Sequence, residues 1–247
     1  MPKIQGETHK MEELNIVYED NHLVVVLKPH NIPTQADQSG DMDMLNLVKD
    51  YIKVKYQKPG NVYVGLVHRL DRPTGGLMVF AKTSKAASRL SEQLQDGRFS
   101  KTYLTVLENV PTDRRKKQVN YLKKDAASNT VRIVPMGEEG AKKAELIYNV
   151  LDVQNGLSLT EIELLTGRSH QIRVQMSSLK TPVYGDIKYG AKRGIVGAEK
   201  GNAKTNNLAL WAYKLTFEHP TTKKAMTFKS YPEKTAPWTE FNLEKLV

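Results

Sequence analysis

The stretch that most restricts what this chain can fold into is residues 62–83, V-Y-V-G-L-V-H-R-L-D-R-P-T-G-G-L-M-V-F-A-K-T. Its apolar runs at 62–67 and 77–81 have the length and valine content of buried strands. Between them sits His68-Arg69-Leu70-Asp71-Arg72-Pro73-Thr74-Gly75-Gly76, a short loop carrying one carboxylate flanked by two arginines. Pro73 fixes one φ angle, and Gly75-Gly76 allow backbone conformations that other residues resist, so the loop is expected to be rigid and sharply turned. A rigid loop holds Asp71 still, as a catalytic carboxylate requires. The commoner reading of an aspartate in such a turn is a local hydrogen bond to backbone, with solvated arginines beside it.

Composition narrows the function classes. The 247 residues suffice for one large domain or two small ones with a real core. Hydrophobic residues make up 39% and charged residues 26%, as in ordinary soluble globular proteins. The 37 Lys and Arg outnumber the 27 Asp and Glu by ten, which favours an anionic partner, nucleic acid first among them. No cysteine is present, which excludes disulfides, thiolate zinc sites and cysteine nucleophiles and suits a reducing cytoplasm. The six histidines include no helix-spaced pair, and neither a G-x-x-x-x-G-K phosphate loop nor a G-x-S-x-G elbow occurs. The polar start M-P-K-I-Q-G-E-T-H-K is no signal peptide, and charge interrupts every apolar run before it could span a bilayer. The expectation is a soluble, cytoplasmic, monomeric protein with neither a membrane nor a metal partner.

Residues 1–13 read as a flexible tail and 14–247 as a single domain. Runs at 15–19 and 22–27 flank a turn at Asp20-Asn21, and Lys28-Pro29-His30-Asn31-Ile32-Pro33 forces extended or turning backbone. Met44, Leu45, Val48, Tyr51 and Ile52 recur at helical spacing, and Thr83 or Ser84 can cap a second helix ending near Gln95. Residues 101–107 read as a strand, and the basic clusters at 114–117 and 123–124 as a solvated rim. Asn155-Gly156 between the runs at 144–153 and 157–164 is the strongest short hairpin signal available. Ser169 is expected to cap a third helix running to about Leu179. The glycine-rich basic stretch 189–207, with Lys192, Arg193, Lys200 and Lys204, is expected to be mobile until a nucleic acid binds and then to contact its phosphates. Ala209, Trp211, Tyr213, Leu215 and Phe217 alternate along a further strand, and 225–231 forms the last. Many antiparallel strands with about three helices make an α+β architecture.

The string H-R-L-D-R-P-T-G-G-L-M-V-F-A-K-T resembles the central motif of the RluA-type pseudouridine synthases, in which the aspartate is catalytic. Lys101-Thr102-Tyr103-Leu104 is similar to the segment that supplies an active-site tyrosine. Residues 164–174, L-L-T-G-R-S-H-Q-I-R-V, resemble a third motif whose last arginine sits against the catalytic carboxylate. Pro182-Val183-Tyr184-Gly185-Asp186 and Phe217-Glu218-His219-Pro220-Thr221 match later landmarks, so the likeness runs from about Leu14 to Glu233. Gly75 stands where many relatives have serine and Trp211 where histidine is common, departures that bear on packing or substrate choice. The amino-terminal RNA-binding module of many relatives is missing from the similarity, leaving the catalytic domain to grip RNA.

The resemblance implies a mixed, largely antiparallel sheet flanked by helices, in two subdomains around a central cleft. It also implies isomerisation of uridine to pseudouridine in structured RNA, ribosomal or transfer, without metal or organic cofactor. By the same resemblance Asp71, Tyr103 and Arg173 are the catalytic residues, and Arg69 enters the RNA to fill the flipped base's space. His68, Arg168, Lys192 and Arg193 are further candidates for substrate binding. Asp71 could attack the ribose, attack the ring, or remove the ribose 2′ proton, and each route needs an ionised carboxylate whose desolvation a guanidinium offsets. Tyr103 can stack on an extruded base and lend its hydroxyl to proton transfer. The alternative is a non-catalytic RNA-binding or RNA-folding protein on the same fold; a changed Asp71, Tyr103 or Arg173 would signal it, and all three are present.

Overall fold

The computed structural model describes residues 14–193 and 207–246. Its strands, in chain order, are β1 (Ile16–Glu19), β2 (Leu23–Lys28), β3 (Gly65–Leu66), β4 (Gly75–Ala81), β5 (Ser100–Glu108), β6 (Arg115–Asp125), β7 (Thr130–Val134), β8 (Lys142–Gln154), β9 (Leu157–Leu164), β10 (Leu210–Glu218) and β11 (Ala225–Lys229). The α-helices are α1 (Met44–Lys55), α2 (Ser84–Gln95), α3 (Gln171–Ser178) and α4 (Leu243–Leu246). All the strands among the described residues join one sheet in the order β1-β2-β4-β10-β5-β9-β8-β6-β7, with β3 on β4 and β11 on β10. The β4–β10 pairing is parallel and the others are antiparallel, giving the mixed, largely antiparallel α+β fold.

The junction at β10 decides where a site can form. Trp211 and Ala212 pair with Gly75 and Gly76 on one side, while Leu210 to Thr216 pair with β5 on the other. Gly76 has φ +117°, and a Cβ there would lie 2.5 Å from the backbone nitrogen and oxygen of Ala212. A Cβ on Gly75 would lie 2.4 Å from Cζ3 of Trp211. Gly75-Gly76 therefore do not bend the Asp71 loop, as their sequence context suggested. They open β4, and their missing side chains let β10 approach. The two departures from the family pattern thus meet: an absent side chain on one strand accommodates a large indole on the next.

Elsewhere local chemistry sets the elements. Asp43 caps α1 by accepting from the Asn46 N–H, and Met44, Val48 and Ile52 form its buried face. Thr83 caps α2 in the same way through Ala86. Glu19, at the end of β1, accepts from Tyr51, Lys55, Tyr56 and Lys82 and so ties α1 to the sheet. Asn155 and Gly156, with φ of 51° and 74°, turn β8 into β9.

Three expectations need correction. Residues 62–64 are not strand, because β3 pairs with β4 over Gly65 and Leu66 alone. The basic clusters at 114–117 and 123–124 are solvated as expected, but from Arg115 on they belong to a strand, β6, whose Leu122 packs inward with Val131 and Val134 of β7. Ser169 does not cap α3. His170 occupies that position in the left-handed conformation, φ 49° and ψ 23°, and makes no side-chain cap. Gln171 steadies the turn instead, accepting from the Thr166 hydroxyl and the Arg168 N–H.

Candidate active site

Asp71 stands on the loop between β3 and β4, and the loop is held mainly by residues 28–34. The Lys28 ammonium is fully buried and donates to the carbonyls of Pro29, Arg72 and Thr74 at 2.9, 2.9 and 2.7 Å. Burial pulls its pKa down to about 7, and the nearby Asp71 charge opposes that pull. Thr34 Oγ1 donates to the Leu70 carbonyl and accepts from the Leu70 N–H. His30 Nδ1 donates to the Pro73 carbonyl at 2.7 Å, and the Asn31 N–H donates to the Arg72 carbonyl. A Thr74 N–H to Asp71 C=O bond of 2.9 Å closes the turn. Both residues flanking Asp71 are thereby anchored through their main chains. Arg72 turns its side chain away, toward Asp41, Asp37 and the Asn31 carbonyl.

The opposite wall comes from α3 and a single 3-10 turn, Ile187–Tyr189. Arg173 is buried and forms a two-pronged ion pair with Asp186, Nε to Oδ2 at 2.6 Å and a terminal nitrogen to Oδ1 at 2.7 Å. Its other terminal nitrogen faces Asp71 Oδ2 at 3.5 Å. The guanidinium is thus aimed at Asp71 by a second carboxylate that is itself 1% exposed. Burial works against the charged form of Arg173, but Asp186 and Asp71 together push its pKa up. Tyr103, on β5, is buried at the base of the same cleft. Burial and the Asp71 charge drive its phenol upward, so at neutral pH it is a neutral O–H donor.

Asp71, Arg173, Tyr103, Arg69 and Arg168 all line one cleft of about 1100 Å³. Arg69 is exposed at its mouth; Arg168 is also exposed, and its Nε donates to the Lys143 carbonyl. Lys101 lines the cleft as well. His68 also lines the cleft, though its ring is buried against Phe99 and its Nε2 accepts from the Val79 N–H. Burial pushes its pKa down to about 3, so it anchors β4 as a neutral ring and offers RNA no charge. Lys192 and Arg193 are not brought to Asp71. They line a separate hollow with Asn109, Lys180 and Pro182, and the Glu108 carboxylate accepts from both of their backbone N–H groups. Lys200 and Lys204 lie outside the described residues.

Sequence reasoning missed three residues beside Asp71: Lys28 and Asp186, which hold its loop and its arginine, and His170, whose Nε2 lies 4.0 Å from Asp71 Oδ2. Each sat in a quoted stretch, but their partners lie on other elements. A lysine directly before Pro29, in an otherwise apolar strand, was the one legible hint.

A carboxylate fixed on a loop, opposed by a guanidinium and floored by a tyrosine, shares one cleft with Arg69, Arg168 and Lys101. The described residues contain no helix long and apolar enough to cross a membrane. The human RNA pseudouridylate synthase domain containing 4 shares the fold at a TM-score of 0.73 and 23% identity, covering 89% of each chain. A second human chain, RNA pseudouridylate synthase domain containing 1, aligns at 0.66 and 24% identity over 92% of this chain and 86% of its own. The fold is that of the pseudouridine synthases. The RNA pseudouridylate synthase model matches residues 22–178, and the chain belongs to that family. Ribosomal large subunit pseudouridine synthase C of Buchnera aphidicola (Baizongia pistaciae) is 31% identical over 90% of this chain and 71% of its own length. Ribosomal large subunit pseudouridine synthase D of Pseudomonas aeruginosa is 33% identical over 92% and 71%. An uncharacterized RNA pseudouridine synthase of Bacillus subtilis, YhcT, is 34% identical over 85% and 66%. The protein is an RNA pseudouridine synthase, an isomerase of uridine in RNA.

Proposed function

We propose that the protein isomerises particular uridines of large-subunit ribosomal RNA in the cytoplasm, with Asp71 as the residue that carries the chemistry. The observation that supports this most is the convergence on one cleft of Asp71, Arg173 at 3.5 Å and buried Tyr103. Ribosomal RNA is favoured over transfer RNA by the printed names of the relatives in Buchnera and Pseudomonas. The reaction breaks the bond between ribose and N1, turns the uracil, rejoins it through C5, and moves the C5 proton to solvent or to a base. In this reading Asp71 takes the nucleophile or base role, and Arg173 stabilises its charge while water is excluded. Tyr103 supplies a stacking face and a neutral hydroxyl for proton transfer. Arg69, exposed at the mouth, takes the space the flipped base leaves, and Arg168 meets backbone phosphate.

The test is Asp71→Asn, which keeps size and removes charge. Tritium release from C5 of uridine in ribosomal RNA should vanish, while RNA binding persists through contacts elsewhere. Pseudouridine maps of ribosomal and transfer RNA from cells with and without the gene identify the substrate. A variant that releases tritium at the normal rate refutes Asp71's role, and sites lost only from transfer RNA refute the ribosomal assignment.

A further inference from the structure

His170 is the titratable side chain beside Asp71 to which the reaction has so far given no work. Its Nε2 lies 4.0 Å from Asp71 Oδ2, too far for a direct hydrogen bond and near enough to share a small group with it. The ring is held from behind. His170 Nδ1 is 2.8 Å from the Tyr189 hydroxyl, which already accepts from the Val131 N–H at 2.9 Å. That hydroxyl has one proton, and His170 Nδ1 is the acceptor for it among the described residues. With Tyr189 donating to Nδ1, the ring's own proton is on Nε2, pointing at Asp71. The tyrosine is itself fixed, its ring 4.9 Å under the Arg173 guanidinium and its carbonyl accepting from Ser177. One turn after Pro182-Val183-Tyr184-Gly185 thus aims two side chains at the catalytic carboxylate: Asp186 through Arg173, and Tyr189 through His170. The left-handed backbone at His170 is uncommon for a residue with a Cβ, and no cap bond accounts for it.

The chemistry of the gap selects its occupant. An atom about 2.8 Å from both Nε2 and Oδ2 must accept from an N–H and donate to a carboxylate. A uracil carbonyl can only accept. A hydroxyl does both. We propose that His170 is a substrate-contacting residue whose Nε2–H grips the 2′-hydroxyl of the target ribose against Asp71, with Tyr189 as the positioning residue that fixes the tautomer. This rests on the uridine-isomerase reading above and makes the site selective for ribose over deoxyribose. It also leaves Asp71 Oδ1 for the reaction. Burial keeps the imidazole below its ordinary pKa, with Asp71 and Asp186 opposing and Arg173 and Lys188 assisting, so the ring is neutral at neutral pH.

Two measurements test this. Nitrogen-15 NMR of the histidine rings in the intact protein should show His170 as the Nε2–H tautomer, and Tyr189→Phe should release it to a mixture. The second is a cycle on an RNA stem-loop carrying the uridine mapped above, with ribose or 2′-deoxyribose at that one nucleotide. Removing the 2′-oxygen should weaken binding to the wild type about three- to tenfold more than binding to His170→Asn. Asparagine accepts the left-handed backbone but stops short of Nε2. An Nδ1–H tautomer in the wild type, or a deoxy penalty equal within twofold in both proteins, overturns the proposal. Neither result touches isomerisation itself. Conversely, absence of pseudouridine formation on any RNA would sink the proposed function and leave the tautomer to be judged by its own spectrum.

Discussion

Asp186 is turned toward Arg173, and the geometry makes its loss the more destabilising of the two carboxylates around that arginine. In Asp186→Asn one of the two charge-assisted bonds to Arg173 has a replacement acceptor and the other has none. The guanidinium, 7% exposed, also loses its neutralising charge. Breaking a buried pair from one side costs about 3–5 kcal/mol, and the retained amide contact places this variant near the lower end, about 3 kcal/mol. At about 2–4 °C per kcal/mol for a chain of this size, the melting midpoint should fall by about 6–12 °C. Asp71→Asn is the control. Its carboxylate is 26% exposed and meets Arg173 at 3.5 Å, so its removal should cost under about 1 kcal/mol. Thermal melts of both variants, with tritium release at a temperature where each is folded, separate the two functions of the arginine. Asp186→Asn should lose turnover in proportion to the fraction of time Arg173 faces elsewhere, whereas Asp71→Asn should lose all of it. The reasoning is refuted if Asp186→Asn melts within 2 °C of the wild type, or if Asp71→Asn is the less stable of the pair.

Glu19 should make the protein acid-sensitive. Burial alone would raise its pKa, but bonds from Lys55, Lys82, Tyr56 and Tyr51 hold it at about 2, below its ordinary 4.5. A depressed carboxylate stabilises the fold fully above about pH 4.5 and loses that contribution as pH falls toward 2. Allowing for half-exposed Lys55, it is worth about 2 kcal/mol, and urea midpoints at pH 6 and pH 3 should differ less in Glu19→Gln than in the wild type. Gly75→Ser should destabilise by overpacking against Trp211, and adding Trp211→His should recover part of the loss; additive melting shifts would disprove the contact. Tyr103→Phe should retain RNA affinity while turnover falls about a hundredfold, and near-normal turnover would leave the ring as a stacking surface only.

What the sequence disclosed, and what it hid, follows from the range of the interactions. Asp43 and Thr83 cap their helices within three residues, and Asn155-Gly156 close a hairpin in place, so periodicity and turn chemistry sufficed. β6 was hidden because its basic residues are consecutive, at 115–117 and 123–124, and so fall on both faces of the strand, which erases the apolar alternation that marks a half-buried one. Asp71, Tyr103 and Arg173 were legible through a resemblance, not through spacing, since they lie on β3–β4, β5 and α3. Gly75-Gly76 looked like loop residues because a missing side chain reads alike in a turn and in a close strand approach. The charge of Lys192 and Arg193 is visible in sequence, but the Glu108 carboxylate that seats their backbone, 84 and 85 positions away, is not.

The placement of β10 bears on how the enzyme comes to exist on the ribosome that makes it. The strand between β4 and β5 is the next to last in the chain, so a nascent polypeptide has synthesised the Asp71 loop, Tyr103 and α3 long before the strand that joins them emerges. Until then β4 and β5 each present an open edge rich in buried-type side chains, the kind of surface that pairs with neighbours. Contacts this distant in sequence also form slowly, because the intervening chain must be closed into a loop first. Chains released before residue 218 should therefore be not merely inactive but sticky, and premature termination in this gene should burden chaperones more than a simple loss of function would.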